Sequence, residues 1–144
     1  MKKILLPVDF SDYAKKIAEE GKNLAACFDS DLVLLYVAQH RTPIYLQSFV
    51  NRDASEAVLS GEKKKAKEML EDLKNSMGEL ADRAETVILV GNPADKIIEY
   101  IKSNDVDYVI MGSQGIGSPL QRAYIGSVTN KVLHNVDVSV LVIK

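Results

Sequence analysis

Apolar and polar positions follow two rhythms that take turns along the chain, and the alternation predicts strands and helices in succession. The run "KKILLPV" (2–8) reads as a short strand. Behind it Ala14, Ile17, Ala18, Gly21, Leu24, Ala25 and Phe28 fall on one helical stripe, with Ser11 placed to cap it. The small residues on that stripe suit close packing on a sheet. "DLVLLYVA" (31–38) is almost continuously apolar, as strands are when helices cover both faces of a parallel sheet. A mixed stretch containing Pro43, Tyr45, Leu46, Phe49 and Val50 fits neither rhythm; a flap over a ligand or a dimer contact is the expectation for it. From about residue 55 to 77 the spacing is helical again, with Ala66, Met69, Leu70, Leu73 and Met77 on the apolar side. The "EKKKAKE" run beside them reads as a solvated, ion-paired face. "ETVILVG" (85–91) predicts a third strand. "NPADKIIEYIKSN" predicts a third helix, with Asn92 as cap, Pro93 in the first turn, and Ile97, Ile98 and Ile101 inward. "VDYVIMG" (106–112), "GSVTNKVLHNV" (126–136) and "VSVLVIK" (138–144) complete the series as strand, helix and strand.

Five strands alternating with helices predict an α/β fold: a three-layer, doubly wound open sheet of five parallel strands with helices on both faces, in one domain spanning 1–144. A barrel would need eight such units. In open sheets of this kind ligands bind outside the carboxyl ends of the strands, where the strand order reverses. That edge is expected to carry Pro7, Val8, Asp9 and Phe10, then Val37 to Gln39, Gly91, and the residues after Gly112.

The stretch "MGSQGIGSPLQRAYIGSVTN" (111–130) occupies that last position. Gly112, Gly115 and Gly117 let backbone amides approach a ligand without intervening side chains and turn toward one point. Gly126 and Ser127 open a helix whose free amides and dipole favour an anion, with the hydroxyls of Ser127 and Thr129 as further donors. A tight turn alone would account for one glycine pair; the combination, at the ligand-binding edge of the sheet, points to phosphate. There is no G-x-x-x-x-G-K-[ST], and Leu120 stands where a dinucleotide fingerprint begun at Gly115 needs its third glycine. Neither a P-loop nor a dinucleotide cofactor is supported.

Charge and composition narrow the partners. Eighteen Lys and Arg against twenty Asp and Glu give a net charge of −2, which offers no basic field to nucleic acid or anionic lipid. The apolar run of "MKKILLPVDFSD" stops at Pro7 and Asp9, too short for a signal sequence, and no segment is apolar enough to cross a bilayer. The single Cys27 cannot form an internal disulfide and is expected to be a small buried hydrophobe. A cytoplasmic location is the resulting expectation. His40, His134 and Cys27 match no metal-ligand spacing, so no metal site is assigned. Asp9, Ser113, Gln114, Arg122 and Ser127 form no recognisable acid–base pair or triad at the candidate edge, so no catalytic residue is assigned. Asp9 has two readings, as a structural carboxylate beside Ser11 and as a ligand-binding group.

Through "ILLPVDFSDYA", "LVLLYV", "GNPADKIIEYI", "DYVIMGSQG" and "IGSVTNKVLHNVDVSVLVIK", essentially its whole length, the chain resembles the universal stress proteins. More closely, it is similar to their nucleotide-binding branch, within the adenine nucleotide alpha hydrolase-like superfamily. The branch's motif is Gly, two residues, Gly, nine residues, Gly, then Ser or Thr. The resemblance implies that Gly112, Gly115, Gly126 and Ser127 hold phosphates with Val128 and Thr129 beside them. It likewise implies that Asp9 reaches the ribose and that Pro7, Val8, Val37 and Met111 line an adenine pocket. It further implies ATP or AMP as ligand, with Mg2+ carried by the nucleotide, and a regulatory role in stress response. The partner it implies is a second copy joined through the C-terminal strand 138–144, whose unpaired edge invites another strand. The chain departs from the motif in one place: ten residues, 116–125, separate Gly115 from Gly126. Two alternatives stay open beside the nucleotide switch, a nucleotide-free dimer acting through protein interactions and a slow ATP-hydrolysing enzyme.

Overall fold

The computed structural model describes residues 2–39, 52–113 and 126–144. The expected flap at Tyr45 to Val50, together with His40, Gln114, Gly115, Gly117, Leu120 and Arg122, lies outside them. In chain order the elements are β1 (Lys2–Pro7), α1 (Tyr13–Phe28), β2 (Ser30–Ala38), α2 (Arg52–Asn75), a 3₁₀ segment (Gly78–Arg83), β3 (Ala84–Val90), α3 (Pro93–Ser103), β4 (Tyr108–Gly112), α4 (Ser127–Asn135) and β5 (Ser139–Ile143). The five strands form one sheet in the order β3-β2-β1-β4-β5, and every pairing is parallel. The chain builds outward from β1 to β3, then crosses back to lay β4 on the other side of β1. The order therefore reverses between β1 and β4, where Ile4 faces Tyr108 and Leu5 faces Val109.

Alternation along the strands sorts the core into two layers. Ile4, Leu6, Leu32, Leu34, Tyr36 and Ile110 pack with α1 and α2 on one face, whereas Leu5, Val33, Leu35, Val109 and Met111 pack with α3 and α4 on the other. Ile4, Leu5 and Leu6 are wholly buried, each stabilising the fold by about 2 kcal/mol relative to exposure. Helix α1 approaches the sheet closely because Gly21 faces Leu6: a Cβ there would sit 2.6 Å from Leu6 Cδ1. Helix α3 starts as the sequence predicts, with the Asn92 side chain accepting the Asp95 N–H at 3.1 Å and Pro93 in its first turn.

Several local expectations are corrected. Ser11 does not cap α1, which begins behind Asp12 with no side-chain cap. The Ser11 N–H donates instead to Asp9 Oδ1 at 2.8 Å, and the Ser11 hydroxyl is buried without a partner. Phe28 leaves the buried stripe and stacks on Tyr108, centroids 5.4 Å apart. Cys27 is exposed, because it lies two positions after the buried Ala25 and so on the far side of α1. Met77 falls beyond the end of α2 yet is buried, anchoring the turn into the 3₁₀ segment. The "EKKKAKE" run is not wholly a solvated face, since Glu62 accepts a hydrogen bond from Tyr36 at 2.7 Å and Lys65 lies 4.8 Å over the Phe10 ring.

Candidate functional site

At the strand-order reversal β1 and β4 leave the sheet side by side, and a cavity of about 460 Å3 opens over their carboxyl ends. Pro7, Val8 and Asp9 enter it from the exit of β1, Val37 from the end of β2, and Met111 and Gly112 from the end of β4. Gly126, Ser127, Val128 and Thr129 enter from the start of α4. Ten of the twelve site residues named from the sequence thus meet around one space; Gly115 and Gly117 lie outside the described residues. Gly91 does not line the cavity; its N–H donates to the Ala38 carbonyl at 2.9 Å and closes the exit of β3.

The walls differ in chemistry. Val8, Val37 and Met111 supply apolar surface, with Pro93 and Ile97 of α3 behind them. Asp9 Oδ1 is taken by the Ser11 N–H, which realises the structural-carboxylate reading, while a carboxylate's remaining lone pairs stay available to a ligand. At the start of α4 the first intrahelical bond runs from the Asn130 N–H to the Gly126 carbonyl. The amides of Ser127, Val128 and Thr129 therefore have no partner inside the helix, and the cap Gly126 brings no side chain to satisfy them. Such amides, at the positive end of a helix dipole, suit an anion. Thr129 is buried and its hydroxyl donates to the Gly112 carbonyl at 2.7 Å, so that proton is spent on fastening α4 to β4. Gly112 needs to be glycine for space rather than for a left-handed backbone: a Cβ there would lie 2.9 Å from Tyr13 Cγ.

Tyr13, Tyr36 and Glu62 also line the cavity, and sequence reasoning did not single them out. Tyr36 sits inside an apolar strand and Glu62 in a charged run, so only the pairing of β2 with α2 reveals that they meet. Phe10 packs on Tyr36 with centroids 5.0 Å apart and completes this wall. Among the described residues no group of three or more His, Cys, Asp or Glu is placed to hold a metal ion. Nor, among them, is any helix long and apolar enough to cross a membrane.

Comparison with known proteins agrees with this fold. Universal stress protein MJ0531 of Methanocaldococcus jannaschii is 31% identical over 146 residues, covering 99% of this chain and 82% of that protein. The solved structure of universal stress protein UspA from Lactobacillus plantarum superposes with a TM-score of 0.86 at 28% identity, covering 99% of this chain and 97% of that one. Three structures at 19% identity share the fold and carry nucleotides. A universal stress protein from Archaeoglobus fulgidus holds dAMP (TM-score 0.70; 100% of this chain, 98% of that one), and another universal stress protein holds cAMP (0.66; 99%, 95%). A family protein from Arabidopsis thaliana holds AMP (0.65; 100%, 92%). The model of the universal stress protein family matches residues 1–144, and this chain belongs to that family.

Proposed function

We propose that this chain is an adenine-nucleotide-binding regulatory module of the stress-protein kind. The observation that carries the reading is the convergence of the β1 exit, the β4 exit and the first amides of α4, which have no intrahelical partner, on one cavity at the strand-order reversal. In this reading the base lies against Pro7, Val8, Val37 and Met111, the ribose hydroxyls reach the free oxygen of Asp9, and the phosphate meets Ser127, Val128 and Thr129. The backbone of Gly112 and Gly126 borders the phosphate, and Gly115 and Gly117 are proposed to bind it with them. The AMP, dAMP and cAMP held by relatives of the same fold support an adenine nucleotide over other anions. AMP or ATP is the proposed ligand, a triphosphate bringing its own Mg2+.

The module acts as one domain, in a homodimer joined through 138–144, and works in the cytoplasm. The dimer draws support from β5, which ends the sheet beside β4 with Leu141 exposed on it. The test of the site is to denature purified protein and identify what it releases by chromatography and mass spectrometry, then titrate emptied protein with AMP, and with ATP plus magnesium. Stoichiometric nucleotide or micromolar binding supports the reading. Protein that is empty and ignores both nucleotides would overturn it and turn attention to the interaction-only dimer.

A further inference from the structure

Ser113 is buried, and each of its polar groups meets a different element. Its N–H donates to the Ile143 carbonyl of β5 at 2.7 Å, and its carbonyl accepts the N–H of Gly126, the cap of α4, at 2.5 Å. Its hydroxyl lies 3.1 Å from that of Tyr13, the first residue of α1, and either can donate. One residue earlier the Gly112 carbonyl takes the Thr129 hydroxyl. The Tyr13 ring closes over Gly112, at the wall of the cavity. The start of α4 therefore hangs from Gly112 and Ser113, and Ser113 is braced from the α1 side by the Tyr13 hydroxyl.

Resting on the nucleotide reading above, we propose that Tyr13 is a positioning residue for the phosphate end of the site. Its hydroxyl holds Ser113 in one orientation, and Ser113 in turn holds Gly126 and the three amides behind it. Without the brace the serine hydroxyl turns to local backbone groups instead, as serine side chains readily do. The carbonyl that receives Gly126 then shifts. Amide–phosphate bonds weaken steeply with misalignment, and binding groups must be held within about 0.5 Å of productive geometry, so a small shift reaches the ligand. The base and ribose contacts, made by Pro7, Val8 and Asp9 at the exit of β1, Val37 of β2 and Met111 within β4, do not feel it.

The test compares AMP with adenosine, which lacks the phosphate, by calorimetric titration of the full chain. Tyr13→Phe keeps the ring on Gly112 and removes only the hydroxyl. The expected result is about a fivefold loss of AMP affinity with adenosine affinity unchanged, the size of one hydrogen bond's net effect. Ser113→Ala gives the same selective loss, and the double variant loses no more than either single one. Wild-type AMP affinity in Tyr13→Phe, or equal losses for AMP and adenosine, would overturn the proposal. Unsubstituted protein that binds neither compound would overturn the nucleotide reading, and the role of Tyr13 with it.

Discussion

At the amino end of the sheet the polar groups answer one another. Arg83 reaches Asp29 and Asp31 at 2.7 and 3.2 Å, and those hydrogen bonds, Asp29 foremost, raise its guanidinium above the ordinary value. The Lys3 N–H meets Asp107 at 2.8 Å while its ammonium reaches the Asn104 carbonyl, and Lys2 sits over the stacked rings of Phe28 and Tyr108. Ser30 is the exception, its buried hydroxyl lacking a partner among the described residues. At the carboxyl end, among the described residues, the Ser11 hydroxyl has no partner, the first amides of α4 have no intrahelical partner, and a cavity stands beside them. Buried polar groups are normally paired, and an unpaired one costs about 1–3 kcal/mol. Among the described residues, one end of the sheet is largely satisfied by its own side chains, while the other presents donors that, in the reading proposed above, an anionic ligand would meet.

The sharpest way to break this contrast is Gly112→Val. Its added carbons collide with Tyr13, so unfolding in denaturant should show a loss of about 1–3 kcal/mol, and AMP affinity should fall more than about tenfold. Asp9→Asn should lower AMP affinity about tenfold by removing a charged acceptor. Asp9→Ala should do the same and also cost about 1 kcal/mol of stability, because the Ser11 N–H loses its acceptor. The amino end should behave otherwise: Arg83→Ala should leave AMP titrations unchanged and lower the melting temperature slightly, less so in high salt. The smallest effect concerns Tyr100, near the end of α3, whose phenol burial, then the Glu85 charge, holds above its usual value. The folded state keeps that proton longer than the unfolded one, so the contribution is intact below about pH 10 and is lost as pH rises beyond it. Tyr100→Phe should flatten the decline in melting temperature on the alkaline side.

Much of this was legible in the sequence because strand and helix periods differ. The five strands fall within two residues of their predicted bounds, and Asn92 and Pro93 open α3 as their chemistry requires. Local geometry upset the rest. Ser11 is a good cap by type, yet α1 starts later, at Tyr13 behind Asp12, and the Ser11 hydroxyl makes no capping bond. Pairing over long separations was not legible: Tyr13 with Ser113, and Tyr36 with Glu62, meet only once the sheet order and the seating of α1 and α2 are known. Gly112 was read for backbone freedom, whereas the reason for it is the Tyr13 ring, brought over it from the start of α1.

The most direct test of the contrast follows backbone amide resonances in a two-dimensional NMR titration with AMP. Asp9, Ser127, Val128 and Thr129 are expected to move progressively and saturate, while Asp29, Asp31 and Asp107 stay in place. Largest shifts at the amino end, or none anywhere at millimolar AMP, would contradict it.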